Sequence, residues 1–169
     1  GRTDSRAHNL SPVPESIRVL VRILLAGEDV NQAEVMVVLC NASNCTILEV
    51  AGGIRSCPAF IGCYNEDLGT VCYANAGHTP GLLRDDSGIT QLEASGLPLG
   101  IFSHATQSAS TCALGPGAVL LVVSRGIVEA EYNKQEFGLE GAKEDLTQAT
   151  SPTPPDFAPA LLQADEISS

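Results

Sequence analysis

The sequence predicts an α+β fold, a single domain of antiparallel sheet flanked by helices. Three observations predict it. Apolar residues near the N-terminus recur at helical spacing. From residue 57 the period shortens, and six short apolar runs alternate with tight turns. Beyond residue 125 the helical spacing returns. The 169 residues are enough for one sizeable core. With 44 % apolar and 17 % charged residues, the chain is too apolar for disorder.

The first helix is expected over 14–26, PESIRVLVRILLA, where Ile17, Leu20, Val21, Leu24 and Leu25 form an apolar stripe. Pro14 suits its first turn and Gly27 its stop. A second helix starts at Asn31, whose spacing to Glu34 is that of a capping box, and Val35, Val38 and Leu39 continue the stripe. Residues 41–56 carry no clear period, and Gly52-Gly53 marks a break in them.

The strands follow as three expected hairpins. AFIGCYN and TVCYANA flank Glu66-Asp67-Leu68-Gly69. GLLR and ITQLEA flank Asp85-Asp86-Ser87-Gly88. QSASTCAL and AVLLVVS flank Gly115-Pro116-Gly117. Residues 126–132 and 137–149 read as helical, SPTPP at 151–155 as a linker or helix stop, and DFAPALLQADEI as a last short helix. No internal repeat occurs. The chain divides into an N-terminal segment, 1–13, and one domain, 14–169.

Composition excludes several functions. The net charge of −11 argues against nucleic-acid binding through a basic face. The charge is uneven: residues 129–169 hold nine acidic side chains against two lysines, whereas residues 1–27 hold four arginines against two acids. The acidic part reads as a solvated surface or as a docking surface. No apolar run approaches the ~18 residues of a membrane span, so no membrane partner is expected. No basic segment followed by an apolar core opens the chain, so no signal peptide is expected. The opening Gly-Arg-Thr-Asp, without Met, reads as a processed or cut chain.

The six cysteines, Cys40, Cys45, Cys57, Cys63, Cys72 and Cys112, form no CxxC pair, and only His8, His78 and His104 accompany them. Zinc spacing is therefore absent. Most of these cysteines sit in apolar runs, which suits buried thiols in a reducing cytoplasm, the compartment expected for this chain. Cys57 does not open a Cys-x5-Arg phosphatase loop, because the residue after the five spacers is Cys63.

Neither a P-loop nor a Gly-x-Ser-x-Gly elbow occurs. Asn75-Ala76-Gly77-His78 closes a strand, and His78 there reads either as a turn residue held by backbone hydrogen bonds or as an acid/base or anion contact. Asp85-Asp86 reads as a hairpin tip. In LLVVSRGIVEA, residues 120–130, an apolar strand delivers Ser124-Arg125-Gly126 to a sheet end, a common place for functional side chains. Arg125 has three readings: a solvent-exposed turn residue, a partner for a carboxylate, or a phosphate ligand.

YANAGHTPGLLRDDSGITQLEASGLPLGIF, followed by LGPGAVLLVVSRGIVEAEYNKQEFGLE, resembles the SpoIIE/RsbU branch of the metal-dependent Ser/Thr protein phosphatase (PPM) superfamily. The resemblance covers about residues 14–145 and is best over 57–140. It implies an antiparallel β-sandwich flanked by helices, here lacking the N-terminal strands. It also implies hydrolysis of phosphoserine or phosphothreonine with two Mn²⁺ or Mg²⁺ ions. Phosphoproteins resembling anti-sigma-factor antagonists are the implied partners, and open strand edges add a homodimer to the expected partners.

The resemblance places metal-binding aspartates in three regions. The first corresponds to Gly1–Pro12, where His8 and Asn9 stand and no matching aspartate does. The second precedes Ile127-Val128-Glu129-Ala130, where the aspartate position is Arg125. The third is echoed only by Asp165-Glu166-Ile167-Ser168, which leaves Asp165 as the single metal candidate. Beside a divalent cation at ~4 Å, a guanidinium is repelled by roughly a few kcal/mol even in a polar site. No metal cofactor is therefore expected in this chain. The expectation is a metal-deficient phosphatase domain acting as a regulatory or phosphoprotein-binding module in bacterial signalling, with Ser124, Arg125, Gly126, Asn75 and His78 as its binding residues. An active phosphatase seen as a fragment and a structural dimerisation module are the other two readings.

Overall fold

A computed structural model of the chain describes residues 15–26, 31–53, 55–132 and 135–149. The segment 1–13, the stop at Gly27, the 151–155 linker, the last short helix and Asp165 lie outside these residues.

Two helices come first, α1 (Glu15–Ala26) and α2 (Gln32–Ala51), and they pack on each other. Six strands follow: β1 (Ala59–Asn65), β2 (Thr70–Ala76), β3 (Gly81–Asp85), β4 (Gly88–Leu92), β5 (Ser110–Ala113) and β6 (Val119–Leu121). After them come α3 (Arg125–Val128), a two-stranded ribbon of β7 (Glu131–Tyr132) and β8 (Gln135–Glu136), and α4 (Gly138–Gln148). The larger strands form two antiparallel sheets, ordered β1-β2-β5 and β4-β3-β6. The α+β class and the flanking helices match the expectation.

The second helix resolves the unreadable stretch after residue 41. Asn31 caps it through a 3.4 Å bond from Glu34 N to Oδ1. It then runs to Gly52, whose left-handed backbone (φ 59°) lets its N–H close on Leu48 O at 2.9 Å. Asn41, Ser43, Asn44 and Thr46 blurred the pattern because such residues compete for backbone hydrogen bonds. The buried stripe is Met36, Leu39, Cys40 and Asn44; Val38, expected on it, is half exposed, and Val21 of α1 also faces outward. By length and composition α2 could cross a membrane, a property that its scattered polar residues hid from a count of consecutive apolar ones. In this fold its buried face covers a sheet instead.

Each sheet has its own helix. Met36, Leu39 and Cys40 of α2 pack on Cys63, Cys72 and Ala74 of the first sheet. Ala142 and Leu146 of α4 pack on Leu82 of the second sheet and on Val123, just past β6. β2 is buried on both faces: Cys72 and Ala74 lie under α2, and the alternating Val71 and Asn75 are buried opposite them. On that opposite side a Cβ on Gly81 would sit 3.1 Å from the Phe60 ring, so β1 closes against the start of β3.

Two hairpins, β1–β2 and β3–β4, form where the turns place them, and Asp85 Oδ1 accepts from Ser87 N (2.8 Å) and Oγ (2.6 Å) at the expected tip. The third does not form. β5 pairs with β2 in the register Thr70↔Ala113, and β6 with β3 in the register Leu83↔Leu120. The Gly115-Pro116-Gly117 turn thus carries the chain from one sheet to the other, with Gly117 at φ 81°. Turn chemistry dictates a reversal but not which strands pair across it. The helix expected over 126–132 is also shorter: α3 has four residues and the chain then enters the β7–β8 ribbon.

Candidate functional site

Asn75, at the end of β2, is fully buried and connects three segments. Its Oδ1 accepts from His78 N at 2.9 Å, and its Nδ2 donates to Thr79 O at 3.4 Å and Leu92 O at 3.3 Å. Its own carbonyl accepts from Ser95 N (2.9 Å) and Gly96 N (3.2 Å). A buried amide with these partners is strongly favoured over one left unpaired. Gly77 completes the turn. Its φ is 68°, and a Cβ there would lie 2.5 Å from the Pro98 ring, so the turn requires glycine on both grounds.

His78 is half-buried. Its backbone is held as a turn residue by Asn75, and its Nδ1 lies 3.1 Å from Thr79 O and 3.0 Å from Thr79 Oγ1. The Thr79 hydroxyl in turn donates to Val123 O. The Asn75–His78 turn is therefore tied to the segment that leads into Ser124-Arg125-Gly126.

That second segment leaves the sheet earlier than its apolar run suggests, at Leu121. Ser124 is extended (φ −70°, ψ 158°), and its carbonyl accepts from Ile127 N (3.1 Å) and Val128 N (3.3 Å) to start α3, while its side chain makes no cap bond. The Arg125 side chain is 81 % exposed, and its Nε donates to Glu129 Oε1 at 2.6 Å. It is thus solvent-exposed and pairs with a carboxylate within its own helical turn. Gly126 is exposed, and a Cβ there would meet only Ser124 Oγ, at 3.9 Å, so no steric demand explains the glycine.

The residue that joins the two halves, Thr79, escaped sequence reasoning. A threonine after a turn histidine is common, and nothing local signals a partner 44 positions away. The same holds for Asn44, whose Oδ1 accepts from Gly100 N at 2.8 Å and whose Nδ2 donates to Phe102 O at 3.0 Å. These bonds anchor the loop between β4 and β5 to α2.

No disulfide links the cysteines. Cys40, Cys63 and Cys72 are buried as expected, but Cys45 and Cys57 are exposed because they fall on the outer side of α2 and on the approach to β1. Burial, with a smaller contribution from Cys72, pushes the Cys40 thiol up to about 11; burial also raises Cys72 and Cys112.

Mn²⁺ and Mg²⁺ require several hard oxygen ligands. The Ser124 turn offers one carboxylate, Glu129, already held by a guanidinium. Among the described residues no three or more His, Cys, Asp or Glu side chains group so as to hold a metal. The donors that the described residues place at this turn do not by themselves fit a two-metal centre.

Two helix-covered antiparallel sheets are the fold that this chain shares with solved PP2C-type phosphatase domains. The phosphatase domain of SpoIIE from Bacillus subtilis superposes with a TM-score of 0.56 at 19 % identity, over 98 % of this chain and 69 % of that one. A longer SpoIIE structure, the PP2C domain with a fragment of the regulatory domain, gives 0.58 at 18 % identity, over 88 % and 43 %. The RsbU and RsbW domains of a Mycobacterium tuberculosis protein give 0.55 at 22 % identity, over 78 % and 35 %. Within that class, the chain belongs to the Stage II sporulation protein E (SpoIIE) family, whose model matches residues 16–166. It is also 29 % identical over 90 residues to Protein IcfG from Synechocystis sp., and it spans 52 % of its own length but only 14 % of that relative.

Proposed function

We propose that this domain is a metal-deficient member of its family that binds phosphoproteins as a regulatory module in bacterial signalling. The observation that carries the reading is Arg125. At the start of α3, where the resemblance expects a metal-binding aspartate, the chain projects an exposed guanidinium paired with Glu129. A guanidinium supplies fixed positive charge without a metal, and its planar donor fork matches phosphate oxygens. The Glu129 contact uses Nε, which leaves the terminal nitrogens for a second, bidentate partner.

Calorimetric titration with Mn²⁺, an assay with p-nitrophenyl phosphate and a binding measurement with a phosphoserine peptide test the proposal. Expected are no Mn²⁺ uptake, no turnover, and peptide binding that Arg125→Ala abolishes. Tight Mn²⁺ binding with turnover contradicts it. A second reading, an active Mn- or Mg-dependent phosphoserine/phosphothreonine phosphatase, is favoured by one observation: the chain spans 69 % of the SpoIIE phosphatase domain. A longer chain that hydrolyses the substrate only with Mn²⁺ supports that reading. A homodimer joined through the edge strands is the partner we propose besides a phosphoprotein; light scattering at the mass of a monomer excludes it.

A further inference from the structure

The hydrogen bonds around Thr79 decide which nitrogen of His78 carries the proton. Val123 O is a carbonyl and can only accept, so the single hydroxyl proton of Thr79 is committed to it. Thr79 Oγ1 can then only accept in its 3.0 Å contact with His78 Nδ1. Thr79 O, 3.1 Å from the same Nδ1, is a second acceptor. Both contacts require a proton on Nδ1. The opposite tautomer would turn the Nδ1 lone pair toward two oxygens. In the neutral ring, Nε2 is therefore the bare nitrogen, with a lone pair that can accept a hydrogen bond. A histidine whose other ring nitrogen is fixed on a backbone carbonyl is the usual arrangement where an imidazole acts on something else.

The same hydroxyl locates the ring. It binds Val123 O, and Arg125 lies two Cα steps beyond, at most about 7 Å along the chain. We propose that His78 acts through Nε2 as a second polar arm beside Arg125, and that together they bind a phosphomonoester. The inference rests on the phosphoprotein-binding reading of the Arg125 turn. The guanidinium takes two phosphate oxygens and Nε2 shares one proton with a third. With a phosphate monoanion that proton comes from its P–OH group; with the dianion it is taken up from solvent onto Nε2. In both cases the result is an Nε2–H···O bond, and no covalent bond is made or broken. Thr79 is the positioning residue that couples the two arms.

Long-range ¹H–¹⁵N spectra of the imidazoles test this directly, with the His78 signals identified by their loss in His78→Gln. At alkaline pH, where imidazoles are neutral, the free protein is expected to show Nδ1 protonated and Nε2 bare. At neutral pH, a phosphoserine peptide is expected to move Nε2 to the protonated type, and its unphosphorylated counterpart to leave it unchanged. Peptide affinity is expected to fall about ten-fold in His78→Gln and in Thr79→Val, the value of one positioned polar contact, and to recover in Thr79→Ser. A free protein with Nε2–H and bare Nδ1 overturns the tautomer assignment. Peptide binding that leaves the Nε2 signal unmoved overturns the role of His78 while the phosphoprotein reading stands. Absence of peptide binding in the wild type overturns both.

Discussion

Arg125 and Asn75 show how differently two polar residues of the candidate site are held. The Arg125–Glu129 pair is exposed on both sides, so solvent screens it and it contributes about 0–1 kcal/mol. Arg125→Ala is accordingly expected to shift urea unfolding by less than ~0.5 kcal/mol while removing phosphopeptide binding, which separates function from stability. Asn75 is the reverse. Its removal strands the Thr79 and Leu92 carbonyls and the His78 N–H in a buried turn. Asn75→Ala is expected to cost on the order of 2–4 kcal/mol in the same measurement.

Cys40 adds a pH dependence. Its pKa in the fold, about 11, lies above the ordinary 9.0, so the unfolded chain ionises first. Its stabilising contribution is complete below pH 9 and is lost as the pH climbs from 9 toward 11, by roughly 2–3 kcal/mol in all. Urea midpoints at pH 8 and 10.5 measure it, and Cys40→Ala is expected to flatten the decline.

At the scale of elements, local chemistry was legible and long-range pairing was not. The Asn31 cap, the strand pairs 59–65 with 70–76, and the Asp85–Gly88 tip followed from period and turn residues alone. The apolar run at 118–124 correctly marked a strand, but its partner is β3 and not the neighbour across the turn. Arg84 is another distant contact with no local signature. From β3 its Nη1 donates to Leu146 O at 2.6 Å and Ala149 O at 2.5 Å, satisfying the last carbonyls of α4 and placing a cation at that helix's negative end. Arg84→Met is expected to cost about 1–3 kcal/mol and to raise hydrogen exchange selectively in the last turn of α4.

For the whole molecule, motif order along the chain carried more than any single motif. The sequence from Tyr73-Ala74-Asn75-Ala76-Gly77-His78 to the Arg125 turn pointed to the SpoIIE family, and the family model and the helix-covered sheets agree. The site was legible as two separate turns. That they share a hydrogen-bonded path emerges only when β2–β3 and β6 are set side by side, because the connecting group, the Thr79 hydroxyl, carries no spacing rule. The turn at which the resemblance expects a metal ligand carries a cation of its own, Arg125.

The most direct test is the affinity for a phosphoserine peptide measured in EDTA, with inorganic phosphate monitored in the same sample. The account predicts binding without metal, no phosphate release, and loss of binding in Arg125→Ala. Binding that appears only when Mn²⁺ is restored and is followed by release of inorganic phosphate would contradict it.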